Sequence, residues 1–405
     1  MESRKFVLKI DKGILYLIFL TIPFMEVSYI KRFTLFHWIF LGWQLVAFLI
    51  ILISFLRSER KPSPVVYIIV IIQSYLITNT LIQGGEVRTI IRDSFYIIAV
   101  VLLYDLFASD ELFVKSQLIC FETLIYINLI TIILYPDGLY QARNEVTTQF
   151  IWDASKNWFL GFYNTYTQFF IPGLTFSFIY AYQTKRKARL IALLCAVTAS
   201  LLLVKSGGNL VSIFIMVLSF VFLKNFTRFF NYLNYWLVQI VFYVGIIVYK
   251  LQDIFDWLVN GVLHKQNSLD DRIILWGRII QSVRERIVYG YGYENSNYRV
   301  IKYGVGAWAR YAHNSLLEMM YQGGLIYLFL FIVLILTAGR NARMNINEEM
   351  VKIVSIAFLG WSLQSLVDAY FTPFLMGLFV VIYQVTNIFK EDDEILIQSQ
   401  YEITT

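Results

Sequence analysis

The sequence predicts an all-α, polytopic membrane protein with about twelve transmembrane helices and one large outward-facing loop that contains an amphipathic helix. Three observations lead there. Hydrophobic residues make up 58% of the chain and charged residues only 15%, where about a quarter are charged in a soluble domain. Apolar runs of roughly 16–24 residues recur, matching the ~20 residues a helix needs to cross a bilayer. Lys and Arg gather in short clusters between those runs. That pattern follows membrane topology rather than a basic binding face, so the net charge of +6 implies a lipid bilayer and no nucleic-acid partner.

Taken in order, length and periodicity place helices at 13–30, 33–56, 63–83, 93–109, 114–135, 165–183, 190–204, 208–223, 234–252, 321–338, 351–370 and 374–389. The seventh and eighth are split at Lys205-Ser206-Gly207-Gly208. Residues 1–252 thus hold nine membrane helices and a smaller outer loop at 136–164. Residues 253–320 form the large outer loop, and 321–405 hold three further helices and a tail. Residues Met1–Lys12 resemble the charged front of a signal peptide, but no small-residue cleavage site follows Gly13–Met25, so an uncleaved first helix is expected.

Orientation follows from charge. With the N-terminus inside, the cytoplasmic segments hold 18 Lys and Arg and the short outer loops hold 7; the remaining 9 lie in the long segment, which counts little. Both termini are expected in the cytoplasm and the long loop outside. Cys120 and Cys195 fall inside predicted helices with no CxxC or metal spacing, and read as small packing residues. Trp152 and Trp158 in the outer loop 136–164 read as headgroup-depth anchors or, alternatively, as part of a lid beside an active site. The acidic stretch Glu391–Glu394 reads as a solvated end.

The chain's polar residues are concentrated at Ser268–Tyr327. Ser268 with Asp271 resembles a helix N-cap. From Leu269 to about Val288 the pattern is helical, and at about 100° per residue Trp276, Ile279, Ile280, Val283 and Ile287 share one stripe. An amphipathic helix about 20 residues long on the outer leaflet is expected. Arg272 falls on the stripe, one turn before Trp276; Arg278 and Arg284 lie off it, and Arg286 sits at its edge. An Arg turned toward a low-dielectric groove needs an anion. That anion is either an acid such as Asp270 or Asp271, or a phosphate, which the guanidinium fork suits.

Tyr289-Gly290-Tyr291-Gly292-Tyr293 then ends the helix, with no strand before it and no Lys-Ser/Thr after it, so it is not a nucleotide loop. Tyr298, Tyr303, Trp308 and Tyr311 continue an aromatic run whose flat rings suit sugar faces and, equally, the membrane interface. His313 is one of three His, and it stands with Asn314 just before an apolar helix. Ser315 and Glu318 have capping-box spacing. A His at a helix N-terminus is biased toward the neutral form, which accepts a proton from an attacking hydroxyl; a hydrogen-bonded structural His fits the same position. The same helix end favours a phosphate.

These residues resemble the polytopic O-antigen ligase and O-antigen or capsular polysaccharide polymerase family. The resemblance rests on His313-Asn314, nine residues, Gly324, two residues and Tyr327, on Asp271-Arg272 with Trp276, and on Gly290 and Gly292 as a Gly-x-Gly. It covers about 55 residues, and the rest agrees only in topology. Two positions depart from it. Ser206 is followed by Gly207 where relatives carry an Arg, with Lys205 adjacent, and Tyr289 stands where relatives often have Pro.

The resemblance implies an undecaprenyl-diphosphate-linked glycan as donor and as acceptor, with no cofactor and no metal. His313 would be the general base. Arg272, with Lys205 and Arg278, would bind the donor diphosphate, and Asn314, Glu318, Gly290, Gly292 and Gly324 would support them. Displacement would invert the anomeric carbon. The expected function is a polysaccharide polymerase of the bacterial cytoplasmic membrane, working with flippase and chain-length regulator proteins. The alternatives are a ligase that moves finished glycan to lipid A-core or another acceptor, and a lipid-linked oligosaccharide flippase. A flippase expects charges and broken helices near mid-membrane. Asp105, Asp368 and Lys205 are the nearest candidates, all at predicted helix ends.

Overall fold

The computed structural model describes residues 11–25, 27–147, 150–222, 231–242, 244–245, 268–306 and 308–386, with the backbone alone at 242, 268–271 and the described part of 142–154. Its helices are α1 (Lys12–Thr21), α2 (Thr34–Arg57), α3 (Pro64–Gln83), α4 (Val87–Phe107), α5 (Glu111–Leu134), α6 (Thr167–Thr184), α7 (Ala188–Leu203), α8 (Gly207–Val221), α9 (Tyr232–Phe242), α10 (Ser268–Glu285), α11 (Ser296–Tyr303), α12 (Ser315–Ala338), α13 (Arg340–Met344), α14 (Glu349–Ser365) and α15 (Pro373–Gln384). By length and composition α2, α3, α5 and α12 can each cross a membrane, while α7, α8 and α15 are apolar but shorter. The remainder of the ninth expected helix, residues 253–267 of the long loop, His264 and the acidic tail lie outside the described residues.

Local chemistry sets the boundaries. Pro64 opens α3 and Gly84, left-handed at φ 71°, closes it. Asp110 caps α5 through the Leu112 amide. Lys205, at φ 55°, turns the chain between α7 and α8 where the split was expected. Helix α4 starts at Val87 rather than 93, because its charged first turns form ordinary helix with Arg92 paired to Asp93. Helix α14 stops at Ser365 rather than 370. There the Asp368 carboxylate accepts the Ala369 amide at 3.0 Å, a local bond that competes with helix, and the segment ends at Pro373.

Within this predominantly helical fold, residues 136–164 contain a small three-stranded antiparallel sheet, β1 (Tyr140–Thr147), β2 (Phe150–Trp158) and β3 (Gly161–Phe162), in the order β1-β2-β3, which the sequence reading did not expect. Trp158 is not a headgroup anchor: it is 4% exposed and donates its indole N–H to the Tyr135 carbonyl at 2.8 Å. Trp152 has only its backbone described. Of the two cysteines, Cys120 is buried as expected but Cys195 is exposed on α7.

The feature that joins loop to bundle is a break in α12. Gly324 adopts φ 60° and ψ −154° inside an otherwise helical run. The amides freed beyond the break donate to Ile287 and Val288, as Leu325 N to Ile287 O at 2.8 Å and Ile326 N to Val288 O at 3.2 Å. The carbonyls freed before it accept Tyr291 N and Gly292 N, as well as the Asn79 amide and the Tyr75 hydroxyl from α3. This segment is close because Gly290 and Gly292 are both left-handed: a Cβ on Gly290 would collide with the Tyr321 carbonyl, and one on Gly292 would lie 2.7 Å from Thr80 Cα. A Cβ on Gly324 would strike the Val288 backbone. Gly324→Ala is therefore expected to lower the melting temperature of the detergent-solubilised protein, by the equivalent of about 1–3 kcal/mol of backbone strain. An unchanged melting temperature would show that the break does not depend on glycine.

Candidate active site

Helix α10 presents Leu275, Trp276, Ile279 and Val283 to a small second core with Tyr303, Ala312, Leu317 and Tyr321. The stripe expected from sequence is thus buried against protein. Ile287 is the exception; it lies beyond the helix end at Glu285 and is exposed. The Trp276 indole donates to the Ala312 carbonyl at 2.7 Å, which fixes α10 against the residue preceding His313.

His313 has φ 49°, a left-handed conformation uncommon for a non-glycine residue. What holds it is a set of contacts on both sides. Glu318 receives a bidentate ion pair from Arg299, at 2.6 and 3.0 Å, and accepts the Ala312 amide at 2.7 Å. Burial alone would lower the Arg299 pKa, but the Glu318 carboxylate outweighs it and raises it. The expected capping box is replaced by a different cap. Asn314 Oδ1 accepts Leu317 N at 2.9 Å, while its Nδ2 donates to Leu366 O at 3.1 Å. The Ser315 hydroxyl donates to the Asp368 carbonyl at 3.2 Å. Glu318 therefore holds the residue before His313, and Asn314 and Ser315 bind the residues after it to the 366–372 turn.

That turn brings Asp368 to the imidazole. His313 Nδ1 lies 3.7 Å from Asp368 Oδ1, within ion-pair reach but beyond hydrogen-bond length, and Nε2 is 3.1 Å from the Trp308 carbonyl. Tyr370 donates to Asp368 Oδ2 at 2.7 Å, and the Tyr311 ring lies over His313 with centroids 4.0 Å apart. Burial pushes the Asp368 carboxyl up, but the facing His313 ring and the Tyr370 and Tyr311 hydroxyls outweigh it and hold the carboxyl below its ordinary range. Asp368 was legible in sequence only as a lone acid at the end of an apolar segment; its approach to His313 depends on α14 ending early.

Arg272 lies near the start of α10. Burial raises the phenol pKa values of Tyr163 and Tyr311, and in each case the Arg272 charge pulls the other way. Tyr311 thus feels the Arg272 charge and stacks near the His313 ring, two residues 41 positions apart in sequence (313 − 272). Among the described side chains, which do not include those of Asp270 and Asp271, no acid pairs with Arg272. Lys205 is exposed on the α7–α8 turn, whose Gly208 packs toward Val367 beside Asp368. Arg278 donates to the Tyr303 carbonyl at the end of α11. Gly290, Gly292 and Gly324 act through the laced break described above, not as direct contacts of His313.

Residues 168–332 match the family model described as O-antigen ligase. Over that region the chain is similar to the O-antigen ligase family. No curated protein matches the chain. The O-antigen ligase region takes in Lys205, Arg272, Gly290, Gly292, His313 and Gly324 and stops short of Asp368. It implies a bacterial membrane protein with a glycosyltransferase-type activity on lipid-linked glycans.

The lowered Asp368 pKa has a consequence for stability. Its contribution is full above the unfolded value, ~4, and is lost as pH falls through the lower folded value. Thermal unfolding followed from pH 7 downward should show an acid limb below about pH 4 that Asp368→Asn removes. The same limb in Asp368→Asn protein would assign it to another group.

Proposed function

We propose that this protein is a polysaccharide polymerase that joins undecaprenyl-diphosphate-linked repeat units at the outer face of the cytoplasmic membrane. In this reading about twelve helices cross the membrane, both termini face the cytoplasm, and residues 253–320 form the catalytic loop between membrane parts 1–252 and 321–405. The observation that carries it is His313 facing Asp368 beneath the Tyr311 ring, a ring that also feels the Arg272 charge.

The donor diphosphate binds Arg272, with Lys205 as a second cation. The acceptor sugar hydroxyl replaces the Trp308 carbonyl at His313 Nε2. For Nε2 to accept a proton the ring must carry its hydrogen on Nδ1, and the Asp368 carboxylate facing Nδ1 favours that tautomer and the imidazolium that follows. The hydroxyl proton passes to Nε2 as its oxygen attacks the donor anomeric carbon from the opposite face. The bond from that carbon to the phosphate oxygen breaks, and undecaprenyl diphosphate leaves with the electron pair. Arg272 stabilises the charge that grows on it. The anomeric carbon is inverted. No step calls on a metal. Flippase and chain-length regulator proteins are the partners such a pathway requires.

His313→Ala in a host that makes the glycan should leave the protein intact while transfer falls by about 10²–10⁴, with single-repeat lipid-linked units accumulating. Normal chain length in a well-expressed His313→Ala strain would sink the assignment. Deletion separates the readings: single repeats mark a polymerase, long undecaprenyl-linked chains a ligase. Donor retained on the cytoplasmic face would mark a flippase.

A further inference from the structure

Residues 286–293 run down the end of α3 and back again. The Arg286 guanidinium donates to the side chain of Gln83, the last residue of α3. Three residues on, the Tyr289 carbonyl accepts Asn79 Nδ2 at 2.7 Å, one turn deeper along that helix. The chain then returns. Tyr293 N donates to Thr80 Oγ1 at 2.9 Å, and the Tyr293 carbonyl accepts the Glu86 amide at 2.7 Å, beyond the end of α3. Between Arg286 and Glu294 the sequence holds no charged residue. At the low point the side chains are large, apolar and outward: Ile287 is 46% exposed, Val288 49% and Tyr289 47%.

Two helices give the depth of that low point. Helix α3 has 20 residues, about 30 Å at ~1.5 Å each, the thickness of the hydrocarbon core. Arg60 and Lys61 precede it and Glu86 and Arg88 follow it, so its ends lie near the two boundaries. Asn79 is four residues (83 − 79) inside Gln83, about 6 Å below the boundary. In α12, Leu325 and Ile326 donate to Ile287 and Val288 and begin the unbroken run that ends at Ala338, just before Arg340. Leu325 stands 13 residues (338 − 325) from Ala338, about 20 Å, which leaves about 10 Å of hydrocarbon beyond it. The surface beside the segment is apolar as well. Leu325, Phe329, Ile332 and Leu336 share one exposed face of α12, and Leu81 and Ile82 are exposed at the end of α3. Backbone at such depth needs protein partners. The carbonyls of Ile287, Val288 and Tyr289 and the amides of Gly290, Tyr291, Gly292 and Tyr293 all have them.

We infer that Ile287–Tyr289 is a re-entrant dip into the outer leaflet, with its side chains against the hydrocarbon chains of bilayer lipid and Arg284 at the depth of the lipid phosphates. The inference rests on the reading above that α3 and α12 cross the membrane, with the Gln83 end of α3 outward. The apolar stripe of α10 is buried against protein, so contact with the leaflet passes to the three residues that follow the helix. Arg284 is exposed in the last turn of α10, one turn before Val288, and its long stem lets the guanidinium reach the headgroups. The dip therefore fixes the height of α10 in the leaflet. Through Trp276 and the Ala312 carbonyl it holds the proposed base near the level at which a lipid diphosphate lies.

The test uses the full-length protein in nanodiscs, with Cys120→Ala and Cys195→Ala as background and a nitroxide on Ile287→Cys, Val288→Cys or Tyr289→Cys. Ile332→Cys on the exposed face of α12 and Asn297→Cys on the exposed side of α11 are the references. Power saturation compares collisions with oxygen, which concentrates in hydrocarbon, and with a water-soluble nickel chelate. The oxygen-to-nickel ratio at 287–289 should be severalfold above that at Asn297→Cys and should report a depth of about 6–10 Å below the hydrocarbon boundary. A ratio equal to that of Asn297→Cys, with Ile332→Cys in hydrocarbon, would overturn the dip and leave the spanning helices in place. Poor access of both reagents at all three positions would put protein over the segment and overturn it too. Ile332→Cys in water would remove the spanning reading, and the inference with it. Three neighbouring label sites, each with an exposed side chain, keep the result independent of the folding of any one variant.

Discussion

The structure depends on the break in α12. A helix in a membrane must pair every backbone group, because hydrocarbon offers no partner and each loss costs several kcal/mol. Gly324 interrupts that pairing, and the segment from Ile287 to Gly292 restores it by accepting two amides and donating two. The segment 287–292 is thus a backbone partner of the helix bundle rather than an appendage. The same bonds fix where α10 ends, and through Trp276 and Ala312 they fix the approach to His313.

From that junction the site is held by a few charged and polar contacts with little freedom. Glu318 is paired to Arg299 and to the amide before His313, so the strained backbone at His313 is supported from a buried ion pair. Removing one partner of such a pair is costly because the other is left charged and buried, typically by about 3–5 kcal/mol. Asn314 and Ser315 carry the position across to the 366–372 turn, where Asp368 is aimed at the ring and held by Tyr370. Arg272 arrives from α10 with its charge felt by Tyr163 and Tyr311. Order along the chain and order in space differ, and the hydrogen bonds account for the difference.

Much of this was legible in sequence because membrane helices obey one strong rule of length and apolarity. The turn at Lys205, the stripe on α10 and the place of His313 before α12 all follow from local pattern. What sequence did not reveal has specific causes. The sheet at 140–162 lies in a polar segment without clean alternation. Asn314 rather than Ser315 caps α12, since Ser315 bonds to a turn more than fifty residues away. Asp368 looked like a residue at the end of a span, and only the early stop of α14 turns it to His313. Arg278, grouped with Arg272 through the family resemblance, donates to the Tyr303 carbonyl at the end of α11.

The central claim is that His313 and Asp368 act as one unit in glycan transfer. A double-mutant cycle with His313→Ala and Asp368→Asn, measured as transfer rate in membrane vesicles at matched protein levels, tests it directly. The account predicts that the double variant is no slower than His313→Ala alone, because Asp368 works only through the ring it faces. Losses that multiply independently would contradict it.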